Sequence, residues 1–129
     1  MNFNRIFCNF ILCIGIISLG FQGINDVTNQ IKLFNSNINK LVKLNKKFLS
    51  LIYLQKYSEK IILFMNTSLI ISGIMFIINI TSMGFSFFHM TLIIQFLFLN
   101  NPFILHTSKV FLVLSAYFGI YGGLLCLNN

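Results

Sequence analysis

Negative charge is almost missing from this chain: Asp26 and Glu59 are its only acidic residues, against nine lysines and arginines in 129 residues. Trp is absent, Pro occurs once, at position 102, and Cys three times, at 8, 13 and 126. Each scarcity removes a class of chemistry. Asp26 and Glu59 flank the apolar stretches and none lies inside one, so paired-carboxylate catalysis has no second member to draw on. Proton-coupled transport likewise lacks the buried carboxylate it usually needs, which argues against a pump or antiporter. Cys8 and Cys13 point to different helix faces and no Cys-x-x-Cys occurs, so thiol redox chemistry and a zinc site have no support. A Ser/His/Asp set and a glycine-rich phosphate loop are also missing. Charge of either sign is scarce, at 9% of residues against about 25% in an average soluble domain. With 57% hydrophobic residues and a mean hydropathy of +0.85, the chain has too little polar material to cover a soluble domain.

What is present is a set of long uncharged runs. No charge falls between Arg5 and Asp26, between Lys60 and Lys109, or after Lys109. At about 1.5 Å per residue, a helix of about 20 residues crosses the roughly 30 Å of bilayer hydrocarbon. The first and last runs each hold one span and the middle run holds two. The expected fold is an all-α integral membrane protein with transmembrane helices over about 6–24, 61–80, 82–99 and 103–127, in a single domain. The few residues around Asn79-Ile80-Thr81-Ser82 force spans two and three into an antiparallel hairpin, and Asn100-Asn101-Pro102 breaks the helix before span four. A competing reading makes the first run a signal peptide, with Arg5 as its basic region and Ser18-Leu19-Gly20 as a cleavage site. The apolar stretch continues past that point to Ile24 with no polar region, which argues against cleavage.

Six of the nine basic residues, Lys32, Lys40, Lys43, Lys46, Lys47 and Lys56, fall within the one hydrophilic stretch. There Ile31, Phe34, Ile38, Leu41, Leu44 and Phe48 recur at three- and four-residue steps, the period of a helix with one apolar stripe. The expectation is an amphipathic interfacial segment over about 28–57. It would lie either among anionic headgroups, its lysine stems reaching toward phosphate, or against a partner protein. The net charge of +7 belongs to this loop, and no aromatic-basic surface accompanies it, so nucleic acid is not an expected partner. The lysines also set the orientation: Arg5 alone stands opposite them, whereas Lys60, His106 and Lys109 stand with them. Both termini should therefore face away from the cytosol, or from the matrix in a mitochondrial protein.

Two features inside the spans carry possible roles. Ser115, Gly119 and Gly123 repeat every fourth residue, and small residues let helix backbones touch where lipid supplies little hydrophobic drive. They form a candidate helix-packing interface, either within the bundle, the expected reading, or against a partner. His89, with Gln95 further along, is an intramembrane polar candidate for haem ligation, proton relay or quinone contact, or for a hydrogen bond to a neighbouring helix. No second histidine at similar depth completes a haem site, because His106 lies at the membrane edge, and no cofactor is expected. The sequons Asn66-Thr-Ser68 and Asn79-Ile-Thr81 read as accidents of an Asn-rich composition. The abundance of Asn, Lys, Ile and Phe reflects an AT-rich genome.

The order of elements resembles the DoxX-like superfamily of four-span membrane proteins. Gly23-Ile-Asn-Asp26 ends span one and a basic helix follows. The hairpin contains Ser72-Gly73, the loop is Asn101-Pro102-Phe103, and the last span ends Gly122-Gly123-Leu124-Leu125. The family often has a basic residue where Asp26 stands. The resemblance implies a protein that assists or accompanies other membrane proteins, with no catalytic residues to carry over. The expected function is therefore that of a non-catalytic accessory subunit or assembly factor of a larger membrane complex, such as a mitochondrial respiratory complex. An endoplasmic-reticulum cargo receptor or chaperone and a redox or quinone-site protein using His89 are the alternatives.

Overall fold

The computed structural model describes residues 3–102 and 108–128, all helix and connecting turns, with no strand among the described residues. Helix α1 covers Phe3–Asn25 and α2 Val27–Leu44. A 3-10 turn at Lys46–Leu51 and the single-turn α3, Ile52–Gln55, lead into α4 at Ser58–Ile77. Helix α5 covers Thr81–Ile94 and runs into a π-helical turn at Gln95–Leu99, and α6 covers Ser108–Asn128. Four helices are long and apolar enough to cross a membrane: Phe3–Asn25, Ser58–Ile77, Thr81–Leu99 and Ser108–Asn128. The chain is an all-α integral membrane protein. The expected start of span four, 103–107, lies outside the described residues together with His106. Large apolar side chains such as Phe10, Ile14, Phe64, Ile93 and Phe118 face outward. In water that surface would aggregate; in hydrocarbon it is the solvated one.

The centre of the bundle is the crossing of α1 and α4. Along α1 the buried positions are Cys13, Ile16, Gly20 and Gly23, a three-four repeat that keeps one face inward. Gly20 lets the backbones meet: a Cβ there would lie 2.9 Å from the Asn66 carbonyl oxygen and 3.2 Å from the Ile70 nitrogen. Gly73 does the same from α4, where a Cβ would lie 3.1 Å from the Cys13 carbonyl oxygen. Gly15, on the same helix, has open space around it among the described residues.

The α4–α5 hairpin turns on Asn79. Ile80 N–H donates to the Met75 carbonyl (2.8 Å) and Asn79 N–H to that of Phe76 (3.2 Å), the bonding of a Schellman cap. Asn79 takes the left-handed position with φ 66°, which Asn tolerates better than most residues. Ser72 Oγ then donates to the Gly84 carbonyl at 2.8 Å and ties the two helices together.

Helix α2 does not lie free. Its apolar stripe folds back onto one end of the bundle, where Phe34 and Ile38 are fully buried against Ile62, Met65 and Leu99. The stripe does not stay open: it docks within the chain, and the lysines around it remain exposed. Nor is 28–57 one continuous helix. It breaks at Asn45 (φ −152°, ψ 122°), whose side chain accepts from the Lys47 N–H at 3.0 Å. Around the break the stripe loses its cover, leaving Leu44 before it 69% and Phe48 after it 41% exposed. At the opposite end of the bundle, Arg5 Nε donates to the Leu127 carbonyl and Asn128 Nδ2 to Asn9 Oδ1 at 3.4 Å. The two chain ends thus meet beside the Asn79 turn, and the lysines gather at the far end.

Candidate functional site

Polar side chains inside the bundle concentrate at the lysine-rich end. The π turn before Pro102 ends the α5 run with carbonyls that helical bonding cannot satisfy. Asn37, fully buried on α2, supplies the donors: its Nδ2 donates to the Phe98 and Leu99 carbonyls, the latter at 3.1 Å. Gln95, at the start of the turn, donates from Nε2 to Tyr117 Oη at 3.3 Å and accepts from Asn100 Nδ2. Asn66, buried in mid α4, donates to Gln30 Oε1 at 2.8 Å, and Gly23 leaves the room its amide occupies. Asn37 and Asn66 therefore pin helices together, although in the sequence Asn66 reads only as an accidental sequon and nothing marks Asn37 out. The spacing was the available signal. Ile62, Met65, Asn66, Leu69, Ser72 and Phe76 share one heptad-like face, which makes Asn66 inward-facing.

Gln30, Gln95, Asn100 and Tyr117 also border a cavity of about 330 Å³ between α1, α2, the π turn and α6. Its polar rim is Gln22, Asp26, Gln30, Gln95, Asn100 and Lys109, and its apolar wall Leu19, Leu33, Leu99 and Val113, with Tyr117 beside them. Asp26 and Lys109 carry opposite charge, yet they form no ion pair among the described contacts. Asp26 Oδ1 instead accepts from Asn29 Nδ2 at 2.6 Å.

His89 lies on the other side of α5. A ring nitrogen, Nε2, sits 2.8 Å from Tyr121 Oη on α6, and the pair is seated among aromatic rings. Tyr121 stacks on Phe88 with centroids 6.1 Å apart and meets Phe85 edge-on at 6.0 Å. The imidazole is exposed and opens onto a shallow apolar groove lined by Leu92, Ile93, Phe96 and Phe118. His89 and Gln95 are not brought together. Gln95 is buried toward α6 and α2, and His89 faces out. No group of three His, Cys, Asp or Glu forms among the described residues.

Of the small-residue stripe of α6, expected to pack within the bundle, only the Gly123 end does so among the described residues. The inward face of α6 is Val110, Leu114, Tyr117 and Leu124. Ser115 is exposed and turns its Oγ back to the Phe111 carbonyl at 2.7 Å. Among the described residues nothing lies within 4 Å of a Cβ placed at Gly119, and of the two glycines only Gly123 meets a neighbour, Leu12, at 3.1 Å. The close approaches belong to Gly20, Gly23 and Gly73 instead. Lys32, Lys40, Lys43, Lys46 and Lys47 are all exposed. Cys8, Cys13 and Cys126 are free thiols.

The chain matches no family model, curated protein or solved structure.

Proposed function

We propose that this protein is a non-catalytic accessory subunit or assembly factor that packs against a larger membrane complex. A respiratory complex of the mitochondrial inner membrane is the favoured host. The observation that supports this reading is the outward face of α5 and α6. Ser115 and Gly119 sit there with open space above them, and His89 turns an imidazole outward about 12 Å along its span from Thr81. A polar ring facing hydrocarbon is unfavourable, and a partner helix that donates or accepts a hydrogen bond relieves that cost. The resemblance to DoxX-like proteins, which assist other membrane proteins, points the same way. So does the absence of a carboxylate inside any span. The lysine face of α2 is the natural contact for anionic headgroups.

Mild-detergent purification of the tagged protein, followed by identification of what accompanies it, tests the proposal. Stable partners should be retained by the wild type and by Gly119→Ala and lost from Gly119→Leu, with the melting temperature of the isolated chain lowered in neither variant. Unchanged partners in Gly119→Leu would mean that this face meets lipid. Partners captured only by cross-linking would favour the cargo-receptor or chaperone reading instead. The redox or quinone reading draws on the 2.8 Å His89–Tyr121 pair, and His89→Gln tests it separately.

A further inference from the structure

The cavity behind Asp26 and Lys109 has a layout that matches one class of ligand. We propose that it is a binding site for a phospholipid with a primary ammonium headgroup, of the phosphatidylethanolamine type. The charged rim lies at span ends. Asp26 follows α1 directly and Lys109 sits in the first turn of α6, so both stand at headgroup level on the lysine-rich side. The apolar wall descends from there. Leu19 lies about 10 Å deeper than Asp26 along α1, and Val113 about 6 Å deeper than Lys109 along α6. The cavity thus runs along the membrane normal, its two charges at the surface and Leu19 and Val113 below, with Gln22, Gln95 and the Tyr117 hydroxyl as uncharged polar groups between and beneath them.

The rim offers one charge of each sign, held apart. Lys109 matches a phosphate and Asp26 an ammonium. Asp26 Oδ1 is engaged by Asn29, which leaves Oδ2 for the ligand. A primary ammonium can donate N–H to that oxygen, and a trimethylammonium cannot. A net anionic headgroup gains from Lys109 but places negative charge near Asp26. Further down, Tyr117 Oη accepts from Gln95, so its own hydrogen is left to donate. An ester carbonyl of the glycerol backbone is an acceptor of the right chemistry at that depth. The exposed lysines of α2 attract anionic lipids by charge alone, but they cannot tell two zwitterionic headgroups apart. A preference between such headgroups therefore reports this cavity.

The experiment is lipid retention by the purified full-length chain, read by native mass spectrometry. Phosphatidylethanolamine, phosphatidylcholine and phosphatidylglycerol of identical acyl chains compete in the same micelles, and water-soluble glycerophosphoethanolamine is tried in a separate arm. The wild type should retain phosphatidylethanolamine about tenfold over phosphatidylcholine, equivalent to about 1.4 kcal/mol. Asp26→Asn should remove that preference without removing lipid, because Asn keeps the residue before α2 polar. Lys109→Gln should weaken retention of both zwitterionic lipids. Equal retention of the two by the wild type overturns the proposal, as does a preference that survives Asp26→Asn. Binding of glycerophosphoethanolamine as strong as that of the lipid would also overturn it, since the occupant would then be a soluble headgroup.

Discussion

Gly20→Ala adds one methyl group at the point where α1 and α4 come closest. The new Cβ would lie 2.6 Å from Ile70 Cγ1, 2.9 Å from the Asn66 carbonyl oxygen and 3.2 Å from the Ile70 nitrogen. The first of these is a side chain that can rotate away. The other two are backbone atoms of a helix, and they retreat only if the helices separate. Overpacking of this kind costs about 1–3 kcal/mol, and the helix-propensity gain of Ala over Gly offsets up to about 1 kcal/mol of it. Separation also disturbs Asn66, whose amide occupies the space above Gly23 and bonds Gln30. A net loss of about 1–2 kcal/mol is expected, read as a lower midpoint in thermal or SDS-titrated unfolding of the purified protein by circular dichroism. Gly119→Ala is the control: a Cβ there meets nothing within 4 Å, so the isolated chain should be unchanged or slightly more stable. If both variants unfold alike, the α1–α4 crossing does not carry the fold and the reasoning is refuted.

Asn37→Leu removes the donor to the Phe98 and Leu99 carbonyls and should cost about 1–3 kcal/mol, with the melt broadening as the π turn loosens; an unchanged midpoint would show that the turn does not depend on α2. His89→Gln keeps a hydrogen-bonding amide of similar reach to Tyr121 and should preserve level and assembly, whereas His89→Leu should weaken assembly. Loss of an activity in the glutamine variant with assembly intact would promote the redox reading. Impermeant thiol reagents should label Leu49→Cys and Ser82→Cys from opposite sides of the membrane, in a background lacking Cys8 and Cys126, because the two positions are exposed at opposite ends of the bundle. Labelling of both from one side would contradict a four-span topology.

The number of spans was legible in the sequence because hydrocarbon solvation is a property of length and composition, and both can be counted along the chain. The break before span four was legible because Pro102 acts through its own backbone torsions, and the hairpin because so few residues join spans two and three; that Asn79 takes the left-handed position there was not. Which face each helix buries was decided only in three dimensions. In lipid an outward Leu and an inward Leu are equally well solvated, so the hydrophobic pattern of α4, α5 and α6 carries no direction, and a small-residue repeat shows possible contact without saying which helix arrives. Gly20 and Gly73 receive a partner and Gly119 does not, because α1 and α4 cross at the former and none of the described residues reaches the latter. The amphipathic stripe of α2 was visible as a period, but its destination was not: Ile62, Met65 and Leu99 form its dock only after α4 and the end of α5 are side by side. Asn37 and Asn66 show the same division. Their amides acquire a role when the Phe98 and Leu99 carbonyls and Gln30 come within hydrogen-bond reach, from residues far away in the chain.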